Sequence, residues 1–296
     1  MTADADLSCA ITYNAPAKIN LALHVCGRRD DGYHLLDSLV VFAAIGDRVT
    51  VSESDTLQLE VTGPFGSALS HEPNNLVLRA ARLLQDVTGR SDGALIRLEK
   101  NLPVASGIGG GSSDAAATLR ACGALWKVDP ALISNARLAA DLGADIPVCV
   151  HRQPAFMSGI GENLDAVPTL PACWLVLVNP GRPLATKDVF AALPGFSSPL
   201  TRNSFNDLKD AGALAGVLKE HRNDLAGPAM ALEPSIAATL VALENSPDCL
   251  LARLSGSGPT CFGVFADAQA AKTAADVISS GQPEWWVAPA RVLTAS

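Results

Sequence analysis

The run Pro103-Val104-Ala105-Ser106-Gly107-Ile108-Gly109-Gly110-Gly111-Ser112-Ser113-Asp114-Ala115-Ala116-Ala117 constrains this chain more than any other part of it. Glycine fills four of the five positions from Gly107 to Gly111, after an alternating apolar run and before an alanine-rich one. Without Cβ atoms in the way, backbone N–H groups can converge on a single anion, and Ser112 and Ser113 add hydroxyl donors. The alanine run favours helix, which sets a partly positive helix N-terminus against the same anion. Strand, glycine loop and helix in this order describe a cradle for phosphate. The cradle is not a Walker A loop, because no Gly-Lys-Ser/Thr follows the glycines. It also lacks the βαβ context and the ribose-binding acid of a dinucleotide fold.

The 296 residues are enough for two medium domains with separate cores. No uncharged apolar run approaches the ~18 residues that span a bilayer. The first ten residues carry Asp4 and Asp6 but no Lys or Arg, unlike a secretory or transit peptide, so the expected location is cytoplasmic, with no membrane partner. Seven scattered cysteines without a Cys-x-x-Cys pair argue against a disulfide framework or a zinc site. Cys149, Cys173 and Cys261 read as small core residues in apolar strand-like runs. A net charge of −8 excludes general affinity for nucleic acid. A polyanionic ligand therefore needs placed cations, helix ends and a divalent metal.

Alternation from Ala15 to Val25 predicts a half-buried strand with Ile19, Leu21, Leu23 and Val25 inward and Lys18, Asn20 and His24 on the opposite face. Further strands are expected at 39–45, 47–52, 57–61 and 94–99. Helices are expected at 75–87, capped by Asn74 or Asn75, at 113–125, and at 130–142, closed by Gly143. A soft boundary near residue 160 divides the chain into domains 1–160 and 161–296. The second domain is expected to hold helices at 186–193, 211–220, 234–244 and 268–279, and strands at 174–178, 261–265 and near 286–292.

The glycine run resembles the central motif of the GHMP small-molecule kinases, in the Gly-Gly-Gly-Ser-Ser-Asp-Ala-Ala form of the branch acting on 4-diphosphocytidyl-2-C-methyl-D-erythritol. Ala15-Pro16-Ala17-Lys18-Ile19-Asn20-Leu21, followed by Asp31-Gly32-Tyr33-His34, resembles the first motif. Leu254-Ser255-Gly256-Ser257-Gly258-Pro259-Thr260-Cys261-Phe262 resembles the third. Lesser similarities are Asn75-Leu76-Val77, Gly143 to Val148, Gly159-Ile160-Gly161-Glu162 and Asn223-Asp224-Leu225. The likeness covers nearly the whole chain, in order.

The resemblance implies a two-domain α+β fold: an N-terminal nucleotide-binding domain like domain 2 of ribosomal protein S5, and a C-terminal ferredoxin-like α/β sandwich. It implies ATP-dependent phosphorylation of the 2-hydroxyl of the methylerythritol moiety in the non-mevalonate route to isoprenoids, by a monomer or homodimer. Lys18 and Asp145 would be catalytic: a carboxylate accepting the hydroxyl proton, and a cation keeping it ionised and stabilising developing charge. Pro103, Val104, Ala105, Ser106, Gly107, Ile108, Gly109, Gly110, Gly111, Ser112 and Ser113 would hold ATP. Leu76 would line the adenine pocket, although apolar helix packing explains it nearly as well.

Asn20 would hold the acceptor by its amide. Tyr33 and Phe190 would stack on the cytosine ring, with His34 hydrogen-bonding the base edge. Thr186, Gly256 and Ser257 would also contact the acceptor. Phe190 reads equally as helix core, and Arg28 and Arg29 as solvated loop charges. No carboxylate cluster announces a metal site. Mg²⁺ follows from triphosphate chemistry, with Ser112 or Ser113 able to contact it. Two rivals are a GHMP kinase for mevalonate, homoserine or a sugar, and a nucleotide-binding regulator without catalysis. Gly32-Tyr33-His34 argues against the first, and the retention of Lys18 with Asp145 against the second.

Overall fold

The computed structural model describes residues 10–69, 74–135 and 141–294. The chain divides into two compact units, neither contiguous in sequence: one comprises residues up to Ala17, Gly46–Val104 and Gly109–His151, the other Lys18–Ile45, Ala105–Ile108 and Arg152 onward. Two long strands, β1 (Ile11–Arg28) and β2 (His34–Ser54), contribute to both units, as does the glycine run itself.

In the first unit, the C-terminal half of β2 pairs antiparallel with β4 (Gly93–Glu99), which pairs in parallel with β3 (Leu57–Thr62). α1 (Leu76–Thr88) buries Val77, Ala80, Ala81 and Leu84, a spacing of three and four that makes one helical face. Its N-terminus is capped by Asn75, whose Oδ1 accepts the Val77 N–H at 2.9 Å. α2 (Gly110–Leu125) is buried almost without break from Ser113 to Gly123, which only a run of small side chains permits at such close packing. α3 (Pro130–Ile133) and α4 (Ile146–His151) complete the unit.

In the second unit, the order β10–β7–β9–β8 unites β7 (Trp174–Asn179), β8 (Leu251–Leu254), β9 (Cys261–Phe265) and β10 (Trp286–Leu293), with every neighbouring pair antiparallel. α9 (Ala268–Gly281) lies in the chain between β9 and β10. Helices α5 (Thr186–Ala191), α6 (Ala211–Lys219), α7 (Ala226–Leu232) and α8 (Ser235–Glu244) lie between β7 and β8. The connectivity is the split βαβ pattern of a ferredoxin-like sandwich. β10 also pairs with β2, and β5 (Ala155–Gly159) pairs with both β2 and β6 (Asn163–Ala166). Ile236, Leu243, Leu254, Phe265, Ala274 and Ile278 are among the buried side chains of this unit's core.

Several sequence expectations change in the structure. β1 is buried on both faces from Ala15 to Leu23, so Lys18 and Asn20 lie inside, 4% and 1% exposed, rather than on a solvent-facing side. The predicted strands 39–45 and 47–52 are one strand. Gly46 does not break it, but lets Ala15 and Pro16 approach where a Cβ would collide. α2 starts three residues earlier than Ser113, because Gly109 takes the left-handed conformation (φ 63°) at its N-cap and leaves Gly110 and Gly111 inside the first turn. Cys149 lies in α4, not in a strand; it is buried. Of the helix predicted over 130–142, only α3 falls in the described residues, and 136–140 lie outside them, as do Cys9 and the acidic residues of the first nine positions. The remaining six cysteines are free thiols.

Candidate active site

In the first unit the glycine run feeds directly into a long helix. The N–H groups of Gly110, Gly111 and Ser112 precede the first intrahelical bond, from Ser113 N to Gly109 O at 2.9 Å, and so have no intrahelical acceptor. Nothing lies within 4 Å of a Cβ placed on Gly111, which is exposed. Of the two serines, Ser113 is buried and its hydroxyl donates to Pro16 O at 2.8 Å, whereas Ser112 is half-buried. Pro103 is buried and Val104 exposed. Leu76 opens α1, half-buried beside the Asn75 cap. Asp145 is half-buried immediately before α4.

Beneath the loop lies a charge cluster that the motif comparison does not name. Lys100, 2% exposed, places its Nζ 2.5 Å from Asp47 Oδ2 and 2.7 Å from Asp114 Oδ2. Asp47 Oδ1 accepts the N–H groups of Asn101 and Leu102 at 2.6 and 2.8 Å, while Asp114 Oδ1 is buried with no hydrogen-bond partner. Burial works against the Lys100 ammonium, but the carboxylates of Asp114 and Asp47 outweigh it and hold its pKa above the ordinary value. Burial pushes the Asp114 carboxyl up to about 8, against the pull of Lys100.

In the second unit, residues 105–108 lie against the third motif. Ala105, a non-glycine residue with φ 51°, begins the segment. Lys18 N donates to Ile108 O at 2.9 Å and Thr260 N to Ser106 O at 3.1 Å. Ser255 Oγ donates to Gly107 O and accepts from Asn20 N, both at 3.2 Å. The backbones approach so closely that a Cβ on Gly107 (φ 74°) would lie 2.6 Å from Gly258 O, and one on Gly256 (φ 54°) 2.7 Å from Gly107 O. Asn223, one of the lesser motif residues, holds the loop from behind: its Nδ2 donates to Leu254 O and Gly256 O at 2.9 and 2.8 Å, and its Oδ1 accepts from Leu225 N. Asn20 Nδ2 donates to Ser38 Oγ at 2.8 Å, and its Oδ1 is buried without a partner, an acceptor available to a ligand donor. Thr186 and Ser257, both expected at the acceptor, meet through their hydroxyls at 2.8 Å.

Of the residues expected at the base, the structure brings His34 and Phe190 together. His34 stacks on Phe190, with ring centroids 4.8 Å apart, and Tyr33 is 57% exposed on the neighbouring turn. Burial, with help from the charge of Arg28, lowers the His34 pKa and favours neutral imidazole. Arg28 and Arg29 are not idle loop charges. Arg28 Nε donates to Gly32 O at 3.2 Å and Arg29 pairs with Asp31 at 2.7 Å, which shapes the Tyr33 turn. Phe196, which the sequence reading missed, is equally exposed and lies 6.4 Å from His34. It sits on a segment tied down by Ser197 N to Val25 O, the Ser198 O contact with His24 Nδ1, and Leu200 N to Asp37 Oδ2.

Family models match residues 75–153 as the GHMP kinase N-terminal domain and 198–283 as the GHMP kinase C-terminal domain. The 4-diphosphocytidyl-2-C-methyl-D-erythritol kinase of Paramagnetospirillum magneticum is 52% identical over 288 residues, covering 96% of this chain and 99% of that protein. The enzyme of the same name from Paracoccus denitrificans is 54% identical over 274 residues, covering 93% and 94%. The chain belongs to the 4-diphosphocytidyl-2-C-methyl-D-erythritol kinase family of the GHMP kinases. It is a small-molecule kinase with the two-domain α+β fold of that family. A crystal structure of 4-(cytidine 5'-diphospho)-2C-methyl-D-erythritol kinase superposes with a TM-score of 0.79 at 30% identity over 96% of this chain and all of that one. Homoserine kinase from Cytophaga hutchinsonii, at 17% identity and a TM-score of 0.68 over 99% and 98%, shares the fold. No helix among the described residues is long and apolar enough to cross a membrane.

Two outcomes follow from these contacts. Gly107→Ala forces both a strained φ and a backbone collision, and should cost about 2 kcal/mol or more in chemical denaturation. Asp114 has a folded pKa above its unfolded one, so its contribution to stability is complete below about pH 4 and is lost as pH rises through about 8. Unfolding midpoints measured across that range should fall less steeply in Asp114→Asn than in the wild type.

Proposed function

We propose that the chain transfers the γ-phosphoryl group of ATP to the 2-hydroxyl of 4-diphosphocytidyl-2-C-methyl-D-erythritol, giving the 2-phosphate and ADP. The observation that carries this reading is identity above 50% with kinases of that name over almost the full length of both chains. Domains 1–160 and 161–296 are assigned to nucleotide and acceptor binding respectively.

ATP phosphates are taken by the glycine run from Pro103 to Ser113, where open N–H groups at the start of a sixteen-residue helix suit a polyanion. Leu76 is assigned to the adenine. Among the described residues no group of three His, Cys, Asp or Glu could hold a metal. Mg²⁺ is accordingly assigned to the phosphates with the half-buried Ser112 hydroxyl, where it would neutralise charge. Ser113 is a weaker candidate, since it is 1% exposed.

Asp145 accepts the proton of the acceptor hydroxyl as that oxygen bonds to the γ-phosphorus and the bond to ADP breaks. Lys18 stabilises the carboxylate and the charge that develops on the transferred group. Asn20 offers its unpartnered Oδ1 to an acceptor hydroxyl. Tyr33 and Phe190 take the flat faces of the cytosine and neutral His34 its edge, with Thr186, Gly256 and Ser257 completing the acceptor contacts. The location is assigned as cytoplasmic.

Steady-state kinetics with the purified enzyme test these roles. Asp145→Ala should lower kcat by roughly 10²–10⁴-fold while the protein stays folded, and near-wild-type turnover would remove Asp145 as the base. Tyr33→Ala should raise the acceptor KM by about 5- to 150-fold, the loss of one stacked base, and leave the KM for ATP unchanged. A change confined to ATP would sink the cytosine assignment.

A further inference from the structure

Lys100 is the lysine nearest the glycine run, three residues before Pro103, and a lysine beside a phosphate loop ordinarily serves as a point charge for the phosphate. Its surroundings argue for a different task. The ammonium is 2% exposed and directs two bonds to the carboxylates of Asp47 and Asp114, at 2.5 and 2.7 Å. A Cβ on Gly110 would lie 3.1 Å from Nζ, so the charge is packed directly against the first residue of α2.

Each carboxylate is tied to one end of the glycine run. Asp47 spends its second oxygen on the N–H groups of Asn101 and Leu102, at the exit from β4. Asp114 belongs to α2 itself, four residues beyond Gly110. The lysine therefore compensates the two carboxylates that the chain entering the loop and the helix leaving it bring together, and lets them pack at that separation. A bare positive charge under a helix N-terminus would oppose the helix dipole, and the paired carboxylates remove that conflict.

We propose that Asp47, Lys100 and Asp114 form a positioning device for the nucleotide-phosphate site, in which Lys100 acts through the two carboxylates and does not touch the nucleotide. The inference rests on reading the glycine run as the ATP phosphate site. It differs from a phosphate-contact role in one consequence: the charges become dispensable if all three are neutralised together in the same shape. Removing one partner from a buried ion cluster leaves an uncompensated charge, whereas replacing the whole cluster by neutral groups is tolerated. Asp47→Asn keeps the Oδ1 acceptor that Asn101 and Leu102 need.

The test compares Lys100→Met with the triple variant Lys100→Met/Asp47→Asn/Asp114→Asn, by thermal unfolding, ATP binding calorimetry and steady-state kinetics. Lys100→Met should lower the melting temperature and weaken ATP at least roughly tenfold, with the acceptor KM held within about twofold. The triple variant should regain the melting temperature and bind ATP within roughly threefold of the wild type. A triple variant that regains its stability but binds ATP as poorly as Lys100→Met would show direct phosphate contact and overturn the proposal. Wild-type ATP affinity in Lys100→Met would do the same. So would a triple variant that does not fold, since the charges would then be indispensable; if Lys100→Met alone fails to fold, the triple variant decides. Absence of ATP binding by the wild-type enzyme would instead remove the nucleotide reading itself.

Discussion

The site in the second unit depends on one steric constraint, the direct contact of two backbones with no side chain between them. Residues 105–108 and 255–258 approach so closely that a Cβ on Gly107 would reach the carbonyl oxygens of Gly258 and Ser255 at 2.6 and 2.7 Å. Contact at that range serves only where both sides are glycine and where the polar groups brought together are satisfied. Ser255 meets the second condition by donating to Gly107 O while accepting from Asn20 N, so a single hydroxyl couples the loop, the third motif and β1. Asn223 then fixes the carbonyls on either side of Ser255 with one amide nitrogen. Lys18 and Asn20 lie on a strand whose own N–H groups are committed to this lattice, and both side chains are buried.

The second organising problem is charge. A chain of net charge −8 that handles a nucleoside triphosphate and a diphosphate acceptor cannot rely on its overall field. Two of its cations are committed to partners within the protein. Lys100 is enclosed by two carboxylates, and Arg253 donates to the carbonyls of Leu21, Leu218 and His221, with burial lowering its pKa to about 10. The start of α2 offers oriented backbone, N–H groups without an intrahelical acceptor after Gly109 in its left-handed conformation. Fixed dipoles need no side-chain ordering when ligand arrives, a property suited to stabilising a transition state with spread charge.

Much of this was legible in the sequence wherever one residue type has one physical use. Asn74 or Asn75 as cap, Cys261–Phe265 as strand and the glycine run as a helix entrance all came from local chemistry, and the structure contains each, with Asn75 as the cap. β1 misled because alternation marks a strand with one wet face, whereas here the polar side chains of Lys18 and Asn20 also face protein. The helix start was placed late because glycine is a poor helix former, yet Gly110 and Gly111 are tolerated in a first turn that must leave its N–H groups exposed. Asp47 and Lys100 gave no signal at all. They are 53 residues apart, and their pairing exists only once β2 and β4 come into register, with Arg48 opposite Glu99.

That last case shows why family motifs and physical necessity overlap only in part. A motif records residues adjacent in sequence, so it captured Asp114 as the end of Gly-Gly-Gly-Ser-Ser-Asp but not the two residues that give Asp114 its environment. An aspartate near the start of a helix is ordinarily a cap or a favourable charge at the surface. Asp114 is neither, because it is buried, its Oδ2 is bonded to Lys100 and its Oδ1 faces no donor. Burial pushes its carboxyl above the ordinary carboxylate range, and the bond from Lys100 pulls the other way, so its environment is set by two residues that no contiguous motif contains.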